Sequence, residues 1–171
     1  AEEDLVIPTR APDFDTASQR ALTLAAGLRY GPAYSAILHG WVNRRTAIAM
    51  FDIPASIESE VGQTYLHPAL LDCTFQLIIQ LLREHSATQD AMRSGLTFVP
   101  TRIERITFRT GQDGAASQPA AARATLLRFT RTSIVAEVTL FDDAGRAIAC
   151  LQGVRFMSIG LQANVSGRFR F

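Results

Sequence analysis

The sequence predicts an α+β domain in which a curved antiparallel sheet wraps one buried helix. Three observations carry that expectation. From His67 to Leu82 the chain reads as a helix on which Leu70, Leu71, Cys73, Phe75, Leu77, Ile78, Ile79, Leu81 and Leu82 cover almost the whole circumference. A helix apolar on nearly all sides is an enclosed helix. About six runs rich in β-branched and aromatic residues accompany it, separated by turn-forming clusters such as Asp142-Asp143-Ala144-Gly145. A helix without a broad polar face cannot rest on a flat sheet with its back in water, so the sheet must curve around it. That arrangement is a hotdog fold.

In chain order, residues 1–13 are acidic and then punctuated by proline, which reads as a linker or extended arm. The first residue is not Met, and with this linker-like start the chain reads as a piece of a longer polypeptide. A helix is expected from Asp15 to about Leu28, capped by Asp15 or Thr16, with Ala21, Leu22, Leu24 and Ala25 as its apolar face and Gly27 at its end. Gly31-Pro32 marks a turn. Ser35 to Val42 and Thr46 to Ile53 form a hairpin across Asn43-Arg44-Arg45, and the segment from Ile53 to Gln63 is read as loop.

Pro68 suits the first turn of the central helix, where its missing N–H leaves nothing unbonded. That helix is expected to end near Glu84 or His85, with residues 86–95 as loop. Leu96 to Arg109 reads as one long strand, bent or interrupted near Pro100, in which Ile103, Ile106 and Phe108 alternate with polar residues. Gly111 to Ala120 is loop. Ala122 to Thr130, Ser133 to Phe141 and Arg146 to Ile159 are strands, with Gly153 as a candidate bulge. The domain is therefore bounded at 14–160, with 161–171 as a tail.

The totals exclude several functions. Lys and Arg number 17 against 16 Asp and Glu, and no basic run stands out, so nothing points to nucleic acid. No apolar tract is long enough for a membrane span, and no signal peptide is evident, which fits a cytoplasmic protein. Cys73 and Cys150 lie in apolar surroundings and read as buried free thiols. The three histidines have no ligand-like spacing to them, so no metal is expected.

The polar exceptions on the central helix are Asp72, Gln76 and Gln80, four apart and hence in one stripe. Burial would raise the pKa of Asp72, while the helix dipole would lower it. If burial prevails, Asp72 is a general acid with Gln76 as its orienter. The plain alternative is a solvated carboxylate that helps cap the helix. Tyr30 is either a half-buried packing residue or a hydroxyl donor to the same site. His67 most simply caps the helix or anchors the preceding loop, and His39 and His85 read as structural or exposed. No Ser-His-Asp or Cys-His arrangement and no glycine-rich phosphate loop can be assembled.

These residues resemble a known family. His67-Pro-Ala-Leu-Leu-Asp-Cys-Thr-Phe-Gln76 is similar to the HPALLDxxxQ motif of polyketide synthase dehydratase domains. Leu28-Arg-Tyr-Gly-Pro-Ala-Tyr34 resembles the family's YGPxF motif, with Tyr34 where phenylalanine is usual. Val99 to Ile106 resembles the strand that follows, and Asp143 to Phe156 the closing hairpin. The resemblance spans about residues 12–158. It implies a double hotdog that removes water from β-hydroxyacyl chains on the phosphopantetheine arm of an acyl carrier protein, with no cofactor of its own. It also implies Asp72, Gln76 and Tyr30 as the catalytic group, with Gly31, Pro32, His67, Pro68 and Leu71 beside the substrate. The family's HxxxGxxxxP motif follows none of His39, His67 and His85. The chain thus resembles the C-terminal half, whose partners would be an N-terminal hotdog bearing the catalytic histidine, other synthase domains and the carrier protein. A homodimer is a further option, and an isomerase, a cyclase or a non-catalytic hotdog for dimerisation or carrier docking is the alternative function.

Overall fold

The computed structural model describes residues 4–83, 95–109 and 118–160. Its elements are β1 (Phe14–Asp15), α1 (Thr16–Ala25), a 3-10 turn (Pro32–Tyr34), β2 (Ile37–Asn43), β3 (Thr46–Phe51), α2 (Glu58–Val61), α3 (Pro68–Arg83), β4 (Leu96–Arg102), β5 (Arg105–Phe108), β6 (Ala121–Phe129), β7 (Ser133–Phe141) and β8 (Ala147–Gly160). One antiparallel sheet runs in the order β1-β2-β3-β6-β7-β8-β4, with β5 also on β8. The sheet encloses α3, on which Leu70, Cys73, Leu77 and Leu81 are fully buried. The hotdog fold expected from the sequence is the fold observed.

Small residues allow the close approach. Ala49 pairs with Ala122 and Ala47 with Ala124, all four fully buried in the same core as α3. This alanine floor leaves room for the leucines and isoleucines of the helix. A second close approach is at Gly40, where a Cβ would stand 2.3 Å from the Ile48 carbonyl oxygen and as near to the Phe14 ring. Gly40→Ala should therefore cost about 1–3 kcal/mol, read as a lowered urea midpoint; an unchanged midpoint would contradict this packing.

Several elements depart from the sequence expectation. α1 has the expected Asp15 cap, with the Asp15 carboxylate accepting from Ser18 N–H at 2.8 Å and Ser18 Oγ accepting from Asp15 N–H at 2.9 Å. Its buried residues, however, are Gln19 and Thr23, while Leu24 is 45% exposed. The expected apolar face is corrected, because α1 packs on the polar stripe of α3 (Gln80 Nε2 donates to Gln19 Oε1). The segment from Ile53 to Gln63 is not all loop, since it holds the single turn α2.

The long strand expected from Leu96 to Arg109 is two strands with a break at Ile103-Glu104. Both pair with β8, whose Gly153 has φ +60° at a register shift opposite β7. A Cβ on Gly153 would lie 2.4 Å from Glu104 Oε2, so the bulge in one strand and the break in the other share one space. Only part of the apolar alternation is core: Ile103 packs against the core, while Ile106 and Phe108 are 42% and 44% exposed. The described residues hold eight strands rather than six, the additions being the two-residue β1 and the separated β5.

Residues 4–13 contain no helix or strand, but they lie against the sheet. Leu5 N–H donates to the Gly145 carbonyl, Trp41 Nε1–H to the Arg10 carbonyl, and Val42 N–H to the Asp13 carboxylate. The end of the central helix near Glu84 or His85, most of the loops at 86–95 and 111–120, and the tail at 161–171 lie outside the described residues. No helix among the described residues is long and apolar enough to cross a membrane.

Candidate active site

Asp72 stands in the second turn of α3, and the start of that helix is fixed by His67. The His67 carbonyl accepts from Leu70 and Leu71 N–H, both at 3.0 Å. Its ring accepts from Ala69 N–H through Nδ1 at 3.2 Å, and Nε2 lies 3.2 Å from Glu60 Oε2 of α2. Both ring nitrogens are thus committed to capping the helix and anchoring the preceding turn. Pro68, next in the chain, has no N–H to satisfy.

The acid is oriented by Gln76. Gln76, one turn on, donates from Nε2 to Asp72 Oδ2 at 3.3 Å and to the Tyr34 carbonyl at 3.1 Å. Both amide hydrogens are used, so the side chain has one orientation. Tyr30, from the loop after α1, lines the same cleft as Asp72 and holds the carboxyl pKa down. The Gly31-Pro32 turn begins the 3-10 segment that delivers the Tyr34 carbonyl, and the Tyr30 and Tyr34 rings lie 6.0 Å apart.

Burial sets the direction of the Asp72 shift. Desolvation raises its pKa above the ordinary 3.8, opposed in part by the hydrogen bonds from Gln76 and Tyr30. The Tyr30 phenol is pushed up as well, by burial first and the neighbouring Asp72 charge second. It therefore remains a proton-bearing donor. The Cys73 thiol, buried behind Asp72, is pushed up to about 12. A neutral, buried thiol is a poor nucleophile, so Cys73 should resist an alkylating reagent at neutral pH and react only after denaturation, as peptide mass mapping would report. Labelling of the native protein at Cys73 would refute this burial.

Asp72 and Tyr30 open onto a cleft whose other walls include Leu28, Phe75, Ile79, Phe98 and Phe156. The Phe75 and Phe156 rings meet edge to face, 5.5 Å between centroids. A carboxyl group and a phenol on a mostly apolar wall, with Thr97 as the other polar side chain, suit an apolar ligand with a polar group to be protonated. Gly31, Pro32, His67, Pro68 and Leu71 are not part of this wall: Pro68 and Pro32 face solvent, and Leu71 packs on the core. His39 lies in β2 against the edge of Trp41, and among the described residues no histidine lines the cleft. Nor do they contain a group of three or more His, Cys, Asp and Glu side chains placed to hold a metal ion.

Sequence reasoning does not reach four contributors: the Tyr34 carbonyl, Gln19, Phe98 and Phe156. Phe75 and Ile79 carry a local signal, being three and seven residues after Asp72 and hence on its side of the helix.

Residues 8–164 match a family model described as the polyketide synthase dehydratase N-terminal domain. A curated relative, the phthioceranic/hydroxyphthioceranic acid synthase of Mycobacterium tuberculosis (strain ATCC 25618 / H37Rv), is 30% identical over 135 residues, covering 75% of this chain and 6% of the relative. This chain therefore spans a small part of that protein. Among solved structures, a trans-AT polyketide synthase dehydratase domain from Brevibacillus brevis has a TM-score of 0.71 at 17% identity, covering 85% of this chain and 48% of that one. The dehydratase domain of PpsC from Mycobacterium tuberculosis, in complex with C12:1-CoA, has a TM-score of 0.68 at 23% identity, covering 91% and 56%. At these identities the structural likeness is one of fold.

Proposed function

The chain belongs to the polyketide synthase dehydratase family, and on that premise we propose that it supplies the acid half of a site that removes water from β-hydroxyacyl thioesters. The observation that carries the reading is the half-buried Asp72, its pKa raised by burial, held by Gln76 beside Tyr30 on a mostly apolar cleft. Elimination expels hydroxide, a poor leaving group, unless a proton arrives as the C–O bond breaks. A base removes the α-proton, the Cα–H electrons form the double bond, and Asp72 protonates the departing β-hydroxyl. Water leaves, and the Asp72 carboxylate is reprotonated before the next turnover. Tyr30 donates a hydrogen bond to Asp72 or to the leaving oxygen, and Gln76 keeps the acid facing the cleft.

No histidine stands among the described residues of this cleft to act as that base. The proposal assigns it to a histidine on a second hotdog, so that this chain is the C-terminal, HPALLDxxxQ-bearing half. That assignment rests on the motif and on the absence of HxxxGxxxxP from the sequence, and not on the family description, which names an N-terminal domain. The chain covers 48% and 56% of the length of these structural neighbours. The substrate would reach the cleft on the phosphopantetheine arm of an acyl carrier protein within a cytoplasmic multidomain synthase, and no further cofactor enters the chemistry.

The test is product analysis of a β-hydroxyacyl carrier thioester incubated with the complete dehydratase. Loss of one water, giving an α,β-unsaturated thioester, is expected. A moved double bond or a cyclised chain without loss of water would replace dehydration by isomerisation or cyclisation. Recovery of unchanged substrate would overturn the enzymatic reading.

A further inference from the structure

We propose that Gln19 and Gln80 are positioning residues, a buried amide pair that locks α1 onto α3 so that Tyr30 meets Asp72. Both are buried, Gln80 fully and Gln19 to 4% exposure. Gln19 Nε2 donates to the main-chain carbonyl of Gln76 at 3.4 Å. A carbonyl can only accept, so this contact fixes which way the Gln19 amide points. Its Oε1 then accepts from Gln80 Nε2 at 2.6 Å. Gln80 Oε1 is left buried without a hydrogen-bond partner among the described residues. Reversing either amide alone would set oxygen against oxygen or nitrogen against nitrogen, so the pair holds α1 in one register.

Packing by itself does not call for this pair. A buried oxygen without a donor is a cost that two apolar side chains would avoid. The other buried residue of α1, Thr23, bonds the Arg20 carbonyl of its own helix. The connection to the site runs along both helices. On α3, Gln19 grips the main chain of Gln76, whose side chain divides its amide between Asp72 and the Tyr34 carbonyl. On α1, the residues that follow its end, Ala26, Leu28 and Tyr30, all line the cleft. A shift of α1 along α3 therefore moves the Tyr30 hydroxyl relative to the acid.

The inference rests on the proposed function only for its kinetic readout. The variants are Gln19→Met, Gln80→Met and the double variant, which replaces the amides by side chains of similar length. The Asp72 titration midpoint is followed by carboxyl-carbon NMR in this chain, and turnover is followed in the complete dehydratase. The titratable groups that act on or feel Asp72 are Tyr30 and Cys73, and of these Tyr30 lowers its pKa. With Tyr30 displaced, the midpoint should move up in Gln19→Met and in the double variant. The alkaline limb of kcat should move up with it, and kcat should fall about tenfold with KM little changed, while the melting temperature of the double variant stays at or above the parental one and that of Gln19→Met falls, its Gln80 amide being left buried without a partner. A double variant with parental midpoint and parental kcat would reduce the pair to packing and overturn the proposal. A moved midpoint in a protein that dehydrates nothing would leave the positioning role standing and remove the proposed function instead.

Discussion

Asp72→Asn should lower dehydration by about 10²- to 10⁴-fold, the usual contribution of a positioned acid, with substrate binding little changed. Asparagine keeps the shape of the side chain and can still accept from Gln76, but it has no proton to give to a leaving hydroxyl. In the parent, the rate should fall as pH rises through the raised pKa of Asp72, because only the protonated form can act. Stability should move the opposite way in the variant. The folded pKa of Asp72 lies above its ordinary 3.8, so its contribution to stability is complete below that value and is lost as pH rises through the folded value. Asparagine escapes that loss. The variant should melt higher than the parent at neutral pH, with the gap closing toward pH 3.8. Turnover within tenfold of the parent, or a variant that melts lower at neutral pH, would remove Asp72 from the acid's role.

The largest effect on stability is expected from Leu77→Ala. Leu77 is fully buried in the core between α3 and the sheet. Truncation leaves a cavity that the alanine floor cannot collapse into, since Ala47, Ala49, Ala122 and Ala124 are held by the strand ladders. The cost should be about 2–5 kcal/mol, a fall in melting temperature of about 5–15 °C for a domain of this size. Leu24→Ala, on the exposed side of α1, should change stability by about 0.5 kcal/mol or less. Equal costs at the two positions would mean that α3 is not enclosed as described.

Much of this fold is legible in local pattern. The all-round apolar helix after His67-Pro68, the hairpin across Arg44-Arg45, the strand Ser133–Phe141 and the Asp142–Gly145 turn follow from periodicity and turn chemistry alone. Gly145 has φ +77° and Gly153 φ +60°, conformations that favour glycine, so both also show in the sequence. The carboxylate and glutamine one turn apart on a buried helix are equally visible. What periodicity cannot report is the covering partner. It marks a face as apolar or polar, and a polar stripe reads the same whether it meets water or another helix. The apolar face assigned to α1 therefore does not match the buried one, and Ile106 and Phe108 look like core residues from their alternation alone.

The sequence by itself determined a helix enclosed by a curved sheet and the residue types on its polar stripe, because those follow from side-chain spacing within single elements. Only the tertiary structure decided what the stripe does. Gln76 meets a carbonyl 42 residues earlier, and Gln80 meets an amide 61 residues earlier. Asp72 shares its cleft with Phe98 and Phe156 from strands that follow α3 in the chain. The protonation of a carboxyl group is set by the water and donors within a few ångströms of it, and here those neighbours come from segments brought together only by folding.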